Sequence, residues 1–249
     1  MSVIQVTDLK KSYGGIRALS GCSMTFEDKA INGLIGPNGS GKTTLFNVIT
    51  GYETADSGQV SLRGRDITNA KPDKVFEQGI GRTFQITRIF PRLTVLENVH
   101  VAAQRQGFAA QARGWDSADE RERAMEVLEF VGLARLAPEM AGDLSYGQQK
   151  LLEFAFVTMA RPSVILLDEP AGGVNPSLLR HISDRIRALN SEGVTFIIVE
   201  HDMEFVMRLC DQVLVMHQGS VLTSGPPEQV RADPAVLEAY LGTGPKEGS

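Results

Sequence analysis

Two stretches of this 249-residue sequence carry residue types at spacings suited to chemistry on a polyphosphate. The first is Gly36-Pro37-Asn38-Gly39-Ser40-Gly41-Lys42-Thr43-Thr44, which matches Gly-x-x-x-x-Gly-Lys-Ser/Thr. Glycines at those spacings let successive N–H groups turn inward, and a helix starting nearby adds its partial positive end. Lys42 would meet the β- and γ-phosphate oxygens, and the Thr43 hydroxyl would coordinate Mg2+. The second stretch is Val164-Ile165-Leu166-Leu167-Asp168-Glu169-Pro170, two carboxylates at the C-terminal end of an apolar run. Open parallel sheets bind their ligands at that end. Asp168 is expected to hold Mg2+, directly or through water, and Glu169 to orient and polarise the water that attacks the γ-phosphorus.

Between them lies Leu144-Ser145-Tyr146-Gly147-Gln148-Gln149. Ser145-x-x-Gln148 is a capping box that would start a helix running to about Met159, and such a Ser N-cap with free helix N–H groups is also an anion site. The elements that must position these residues are legible in outline. Ile31 to Ile35 reads as the strand before the glycine-rich loop, and Leu45 to Ile49 suits the helix after it. Asn32 and Gly33 weaken that strand by propensity. Val164 to Leu167 and Val194 to Val199 read as buried parallel strands. Leu179, Ile182, Ile186 and Leu189 form a helical stripe between the two, completing a βαβ unit.

Residues from about 86 to 145 carry helical patterns, including Ala124, Val127, Leu128 and Val131 at i, i+3, i+4, i+7, and read as a helical insertion. The mixed-sign run Asp119 to Arg123 suits a solvated helix face. Residues 104 to 116 look like a flexible connection, and the final dozen residues are expected to fray. The fold class is therefore α/β.

Composition narrows the function classes. Hydrophobic residues make up 42% and charged residues 22%, which excludes a disordered or low-complexity chain. The formal charge of −5 gives a phosphate-backbone binder no footprint, so nucleic acid is not an expected partner. No apolar stretch approaches a membrane span, and the first residues lack a secretory signal, so a cytoplasmic location is expected. Cys22 and Cys210 form no ligand cluster and read as small buried hydrophobes.

With the three segments in register, the sequence resembles the ATP-binding subunit of ABC transporters. Their signature is usually Leu-Ser-Gly-Gly-Gln, and here Tyr146 stands in its third position. The resemblance implies a P-loop NTPase of the ABC ATPase kind, with ATP and Mg2+ as cofactors and a single domain over residues 1–243. That domain would have a RecA-like mixed-sheet core, an N-terminal antiparallel β subdomain, a helical subdomain at about 86–150, and a disordered tail at 244–249. In the family the signature of one subunit meets the γ-phosphate held by the opposite one, so Ser145, Gly147 and Gln148 imply a dimer. Tyr13 resembles the aromatic that stacks on adenine, although a tyrosine packed on a neighbouring strand is the plainer alternative. Gln85 resembles the glutamine that senses Mg2+ and the attacking water. His201 resembles the switch histidine that bonds the γ-phosphate. Asn175 departs from the family, which usually has Asp there, and leaves the communication between two ATP sites open.

The Ser-Tyr-Gly-Gln-Gln signature, the loop Ala171 to Pro176, Glu200-His201-Asp202-Met203, and the ending from Gly225 to Gly242 resemble branched-chain amino-acid importer ATPases. That likeness implies a second ATP-binding subunit, permease subunits contacted through Arg88-Ile89-Phe90, and indirectly a periplasmic solute-binding protein. It places the chain on the inner face of the cell membrane as a peripheral subunit. Three alternatives stay open: an exporter or lipid-extracting system, a soluble ABC ATPase without a permease, and a small-molecule kinase. The kinase gives no reason for Ser145 and Gly147 or for His201.

Overall fold

The computed structural model describes residues 1–84, 87–103 and 118–241. The chain opens with a hairpin of two twelve-residue strands, β1 (Ser2–Tyr13) and β2 (Ile16–Glu27), followed by β3 (Ile31–Ile35) and α1 (Lys42–Ile49). Next come β4 (Ser57–Leu62), β5 (Arg65–Asp66), α2 (Pro72–Glu77) and β6 (Ile80–Arg82). Helices α3 (Val95–Ala103), α4 (Ala118–Val131) and α5 (Tyr146–Met159) lead to β7 (Val164–Asp168), α6 (Pro176–Ser191) and β8 (Thr195–Val199). The chain continues through α7 (Met203–Leu209), β9 (Gln212–His217), β10 (Ser220–Gly225), α8 (Pro227–Ala232) and α9 (Pro234–Leu241).

Six strands form the main sheet in the order β10-β9-β3-β8-β7-β6. All neighbours are parallel except the β10–β9 pair, which makes an antiparallel edge. A second, antiparallel sheet has the order β2-β1-β4-β5. Successive side chains of a strand point to opposite faces, and here the two faces feed two cores. Ile35, Leu167, Ile198 and Val215 pack into one core with the buried faces of α5 and α6; Leu34, Leu166, Ile197 and Leu214 pack into the other with β1, β2 and α1. Burial on both sides is why these strands read as unbroken apolar runs.

Asn32 and Gly33, the weak residues of β3 by propensity, are explained by this packing. A Cβ at position 33 would lie 2.9 Å from Val206 Cγ1 and 3.1 Å from Cys210 Sγ, so glycine lets α7 sit directly on the strand. The Asn32 amide donates to the Glu27 and Phe196 carbonyls and accepts from the Glu27 N–H, tying the end of β2 to β8. Propensity lost locally is recovered through contacts distant in sequence.

The expected elements fall close to their expected bounds. The stripe on α6 buries Ile182, Ile186 and Leu189, with Leu179 packed at its edge, and α4 buries Ala124, Leu128 and Val131. Both cysteines are buried and free. Two details differ from expectation. Arg123 leaves the solvated face to donate to the Met159 carbonyl at the end of α5. Helix α9 continues to Leu241 because Val236 joins the core and Tyr240 packs against it, which orders the first part of the stretch expected to fray. The expected flexible connection at 104–116 and the tail at 244–249 lie outside the described residues. No described helix is long and apolar enough to cross a membrane.

Candidate functional site

The glycine-rich segment turns from the C-terminal end of the central strand β3 into α1. Gly36 has φ 149°, and a Cβ there would collide with the Met216 carbonyl and with Ser40 Oγ. Gly41 has φ 104°, and a Cβ would stand 2.5 Å from the Ala18 carbonyl oxygen. At these two positions only a residue without a side chain lets the loop wind so tightly. Gly36, Pro37 and Ser40 are buried, whereas Asn38, Gly39 and Thr43 are exposed and Thr44 is half-buried. Lys42 is buried, with Nζ donating to the Gly36 carbonyl at 2.7 Å, the Pro37 carbonyl at 3.1 Å and Ser40 Oγ at 3.4 Å. Burial pushes its pKa down, against the charges of Glu169 and Asp168, which stabilise the ammonium. The loop and the acidic strand end are thus brought together, as their chemistry requires.

Asp168 closes β7 and is held by Arg82, whose Nη2 lies 2.9 Å from Oδ2. Their side chains are only 6% and 7% exposed. Removing one partner of such a buried pair costs about 3–5 kcal/mol. Glu169 follows in the left-handed region at φ 52°. Its N–H donates to the Val199 carbonyl, and its Oε1 is 2.6 Å from His201 Nε2. Two loops, after β7 and after β8, therefore meet through one carboxylate and one imidazole.

Glu200 reinforces that meeting. Its buried carboxylate accepts from the Ala171 N–H at 2.5 Å and from the His201 N–H at 3.0 Å. Burial raises its pKa against these bonds, and the neighbouring Glu169 charge adds to the rise.

Helix α5 starts as expected. Ser145 and Gln148 form both halves of the capping box: Ser145 Oγ accepts from the Gln148 N–H at 3.4 Å, and Gln148 Oε1 accepts from the Ser145 N–H at 2.9 Å. Ser145 is exposed, and Gly147 abuts Leu178. Tyr146, 46% exposed, lies against Gly173, where a Cβ would come within 2.9 Å of its ring. The departure in the signature and the glycine in the loop after β7 therefore fit each other. Asn175, the departure two residues on, caps α6 by accepting from the Leu178 N–H at 2.9 Å.

Farther along α5, Lys150 Nζ donates to the Glu169 carbonyl at 3.1 Å. Glu153 Oε1 accepts from the Phe84 N–H at 3.1 Å and the Arg88 N–H at 3.2 Å. Burial lifts the Glu153 pKa to about 7, against the two N–H donors and the charges of Lys150 and Arg88. Tyr13 ends β1, is 42% exposed, and has the Lys11 ammonium 5.2 Å from its ring centroid. Gln85 lies outside the described residues.

Arg82, Lys150, Glu153 and Glu200 escape sequence reasoning because their partners are 19 to 86 residues away. The available signal was a charged side chain inside an apolar stretch: Arg82 after Ile80, and Glu153 between Leu152 and Phe154. Thr43 and Asp168 offer hard oxygen donors, and the described residues hold no cluster of three or more His, Cys, Asp or Glu suited to a metal. That donor set fits a Mg2+ that keeps waters and phosphate oxygens in its shell.

Comparison with known proteins gives consistent results. The family model described as ABC transporter matches residues 19–172, more than half of the chain. The model described as branched-chain amino acid ATP-binding cassette transporter matches residues 220–245. The high-affinity branched-chain amino acid transport ATP-binding protein BraF of Pseudomonas aeruginosa is 39% identical, over 96% of this chain and 98% of that protein. Among solved structures, the ADP conformation of MJ1267, an ATP-binding cassette of an ABC transporter, superposes with a TM-score of 0.86 at 36% identity, over 97% of this chain and 99% of that one. A dimeric post-hydrolysis state of the cassette MJ0796 bound to ADP and Pi has a TM-score of 0.79 at 26% identity, over 90% and 98% of the two chains.

Proposed function

Because this chain belongs to the ABC transporter family, as an ATP-binding cassette ATPase of the branched-chain amino-acid kind, we propose that it powers an importer of branched-chain amino acids or similar small polar solutes. The observation that carries the catalytic reading is the convergence of Lys42, Asp168 and the Glu169–His201 pair at the C-terminal ends of β3, β7 and β8. The names of the full-length relatives support the solute class.

In this reading the cradle from Gly36 to Thr44 takes the phosphates, and the Tyr13 ring stacks on adenine. Lys42 turns its ammonium to the β- and γ-phosphate oxygens. Thr43 and Asp168 would hold Mg2+, which would supply neutralisation of the charge developing on the phosphates. Glu169 accepts a proton from the water whose oxygen attacks the γ-phosphorus, as the bond to the β,γ-bridging oxygen breaks and ADP departs. His201 steadies that carboxylate and bonds a γ-phosphate oxygen. Gln85 senses Mg2+ and the water, by likeness to the family.

Ser145, Gly147 and Gln148 act on the nucleotide of a second ATP-binding subunit, so ATP joins two chains head to tail and hydrolysis releases them. The dimeric relative supports this arrangement. Permease subunits, a periplasmic solute-binding protein and a peripheral position on the cytoplasmic face complete the proposal. The chain works as one cassette over residues 1–243, with the helical part at about 86–150 facing the permease.

Glu169→Gln tests the reading. Phosphate release should fall about a thousandfold while ATP binding persists and ATP-dependent dimers, seen by sedimentation, become stronger. Undiminished hydrolysis would remove Glu169 from the role of base.

A further inference from the structure

Arg82 is the last residue of β6 and pairs in register with Leu166, two residues before Asp168 on β7. Its guanidinium makes bonds in two directions. Nη2 donates to Asp168 Oδ2 at 2.9 Å, whereas Nη1 donates to Asn47 Oδ1 at 2.8 Å and to Thr50 Oγ1 at 2.9 Å. Asn47 lies in α1, the helix whose first two residues are Lys42 and Thr43, and Thr50 caps its end. The rings of Phe84, Phe46 and Tyr52 stand 5.0, 5.6 and 5.7 Å from the guanidinium carbon.

We propose that Arg82 is a positioning residue for the nucleotide's divalent cation: it sets the spacing between the helix that presents Thr43 and the strand that presents Asp168. The inference rests on the reading above that these two residues hold the cation. A planar fork with donors on both edges can bridge helix and strand at once, and an ammonium cannot hold that geometry. The fork engages one carboxylate oxygen of Asp168 and leaves the other to a cation or its water. The surrounding rings keep water from competing for the bonds, which strengthens them. All of these contacts are made by the chain's own residues, so the fold itself sets the ligand spacing.

The test is Mn2+ titration followed by electron paramagnetic resonance on the full chain with a non-hydrolysable ATP analogue. Analogue affinity is measured separately in EDTA, and folding is checked by circular dichroism. Arg82→Lys keeps the charge and removes the fork; it should weaken Mn2+ about tenfold with analogue affinity held within about twofold. Asn47→Ala removes one anchor on α1 and keeps the ion pair; it should shift Mn2+ about threefold in the same direction. Equal loss of Mn2+ and analogue in folded Arg82→Lys, or unchanged Mn2+ affinity, overturns the proposal. If Arg82→Lys does not fold, Asn47→Ala decides by the same two criteria. Asp168→Asn is the separate control: unchanged Mn2+ there would topple the assignment of Asp168 itself, whatever Arg82 does.

Discussion

The glycine-rich loop from Gly36 to Thr44 and the turn at Ser145 both open helices, yet they are finished to different degrees. The first is partly buried, wound around Lys42, and backed by Asp168 at the end of β7 and Glu169 just after it. At α1 the N-cap is Gly41, and no side chain caps the helix. The second is exposed and already capped by its own Ser145 and Gln148. In the proposed function one chain thus supplies the phosphate cradle, and its Ser145 face acts on a nucleotide held by a second chain. On the function proposed above, the difference accounts for a single chain binding nucleotide while hydrolysis calls for two.

Breaking the first region should have the largest effect. Lys42→Ala removes a buried cation from phosphate oxygens and should weaken ATP binding to the single chain about a thousandfold, roughly 4 kcal/mol, by calorimetric titration. An affinity near that of the wild type would end the contrast between the regions.

The support of the second region is expected to depend on pH. Glu153 sits on α5 with its pKa lifted from 4.5 to about 7 by burial. The folded chain therefore binds more protons than the unfolded chain between those values, so this carboxyl makes stability fall as pH rises from about 4.5 to 7 and level off above. The full span is worth about 3 kcal/mol. Glu153→Gln should remove this component, so urea unfolding at pH 5 and pH 8 should differ by that much less in the variant. An unchanged pH dependence would mean that Glu153 ionises freely in the folded chain.

The smallest effect sharpens the comparison most. Ser145→Ala should lower hydrolysis about tenfold, near 1.4 kcal/mol, and cost about 1 kcal/mol of stability through the lost cap, with single-chain ATP affinity unchanged. A matching fall in single-chain affinity would show that Ser145 serves its own chain's nucleotide.

The same contrast marks what was legible in the sequence. The cap at Ser145 is local, closed by Gln148 three residues on, and the loop at Gly36 announces itself by glycine spacing although Met216 and Ala18 also crowd it, so spacing and residue type suffice to locate both. The sheet was legible because burial on both faces leaves unbroken apolar runs. The tuning of the acidic strand end was not. Arg82 reaches Asp168 across 86 residues, Glu153 reaches Phe84 across 69, and Glu200 reaches Ala171 across 29. Each bond exists only once the parallel strands and α5 are packed, and no periodicity encodes it. Asn32 and Gly33 make the same point in reverse, since residues unsuited to a strand are required by what packs on it.

Glu169 occupies a backbone region that costs a side-chain-bearing residue about 1–2 kcal/mol. Glycine would relax there without disturbing the N–H bond to Val199 or the carbonyl bond from Lys150, both of which belong to the main chain. Sturdiness and the base role proposed for Glu169 therefore pull this position in opposite directions. A lineage bred for heat resistance alone would drift toward a tougher, inert cassette, and only continued demand for work keeps the carboxylate in place.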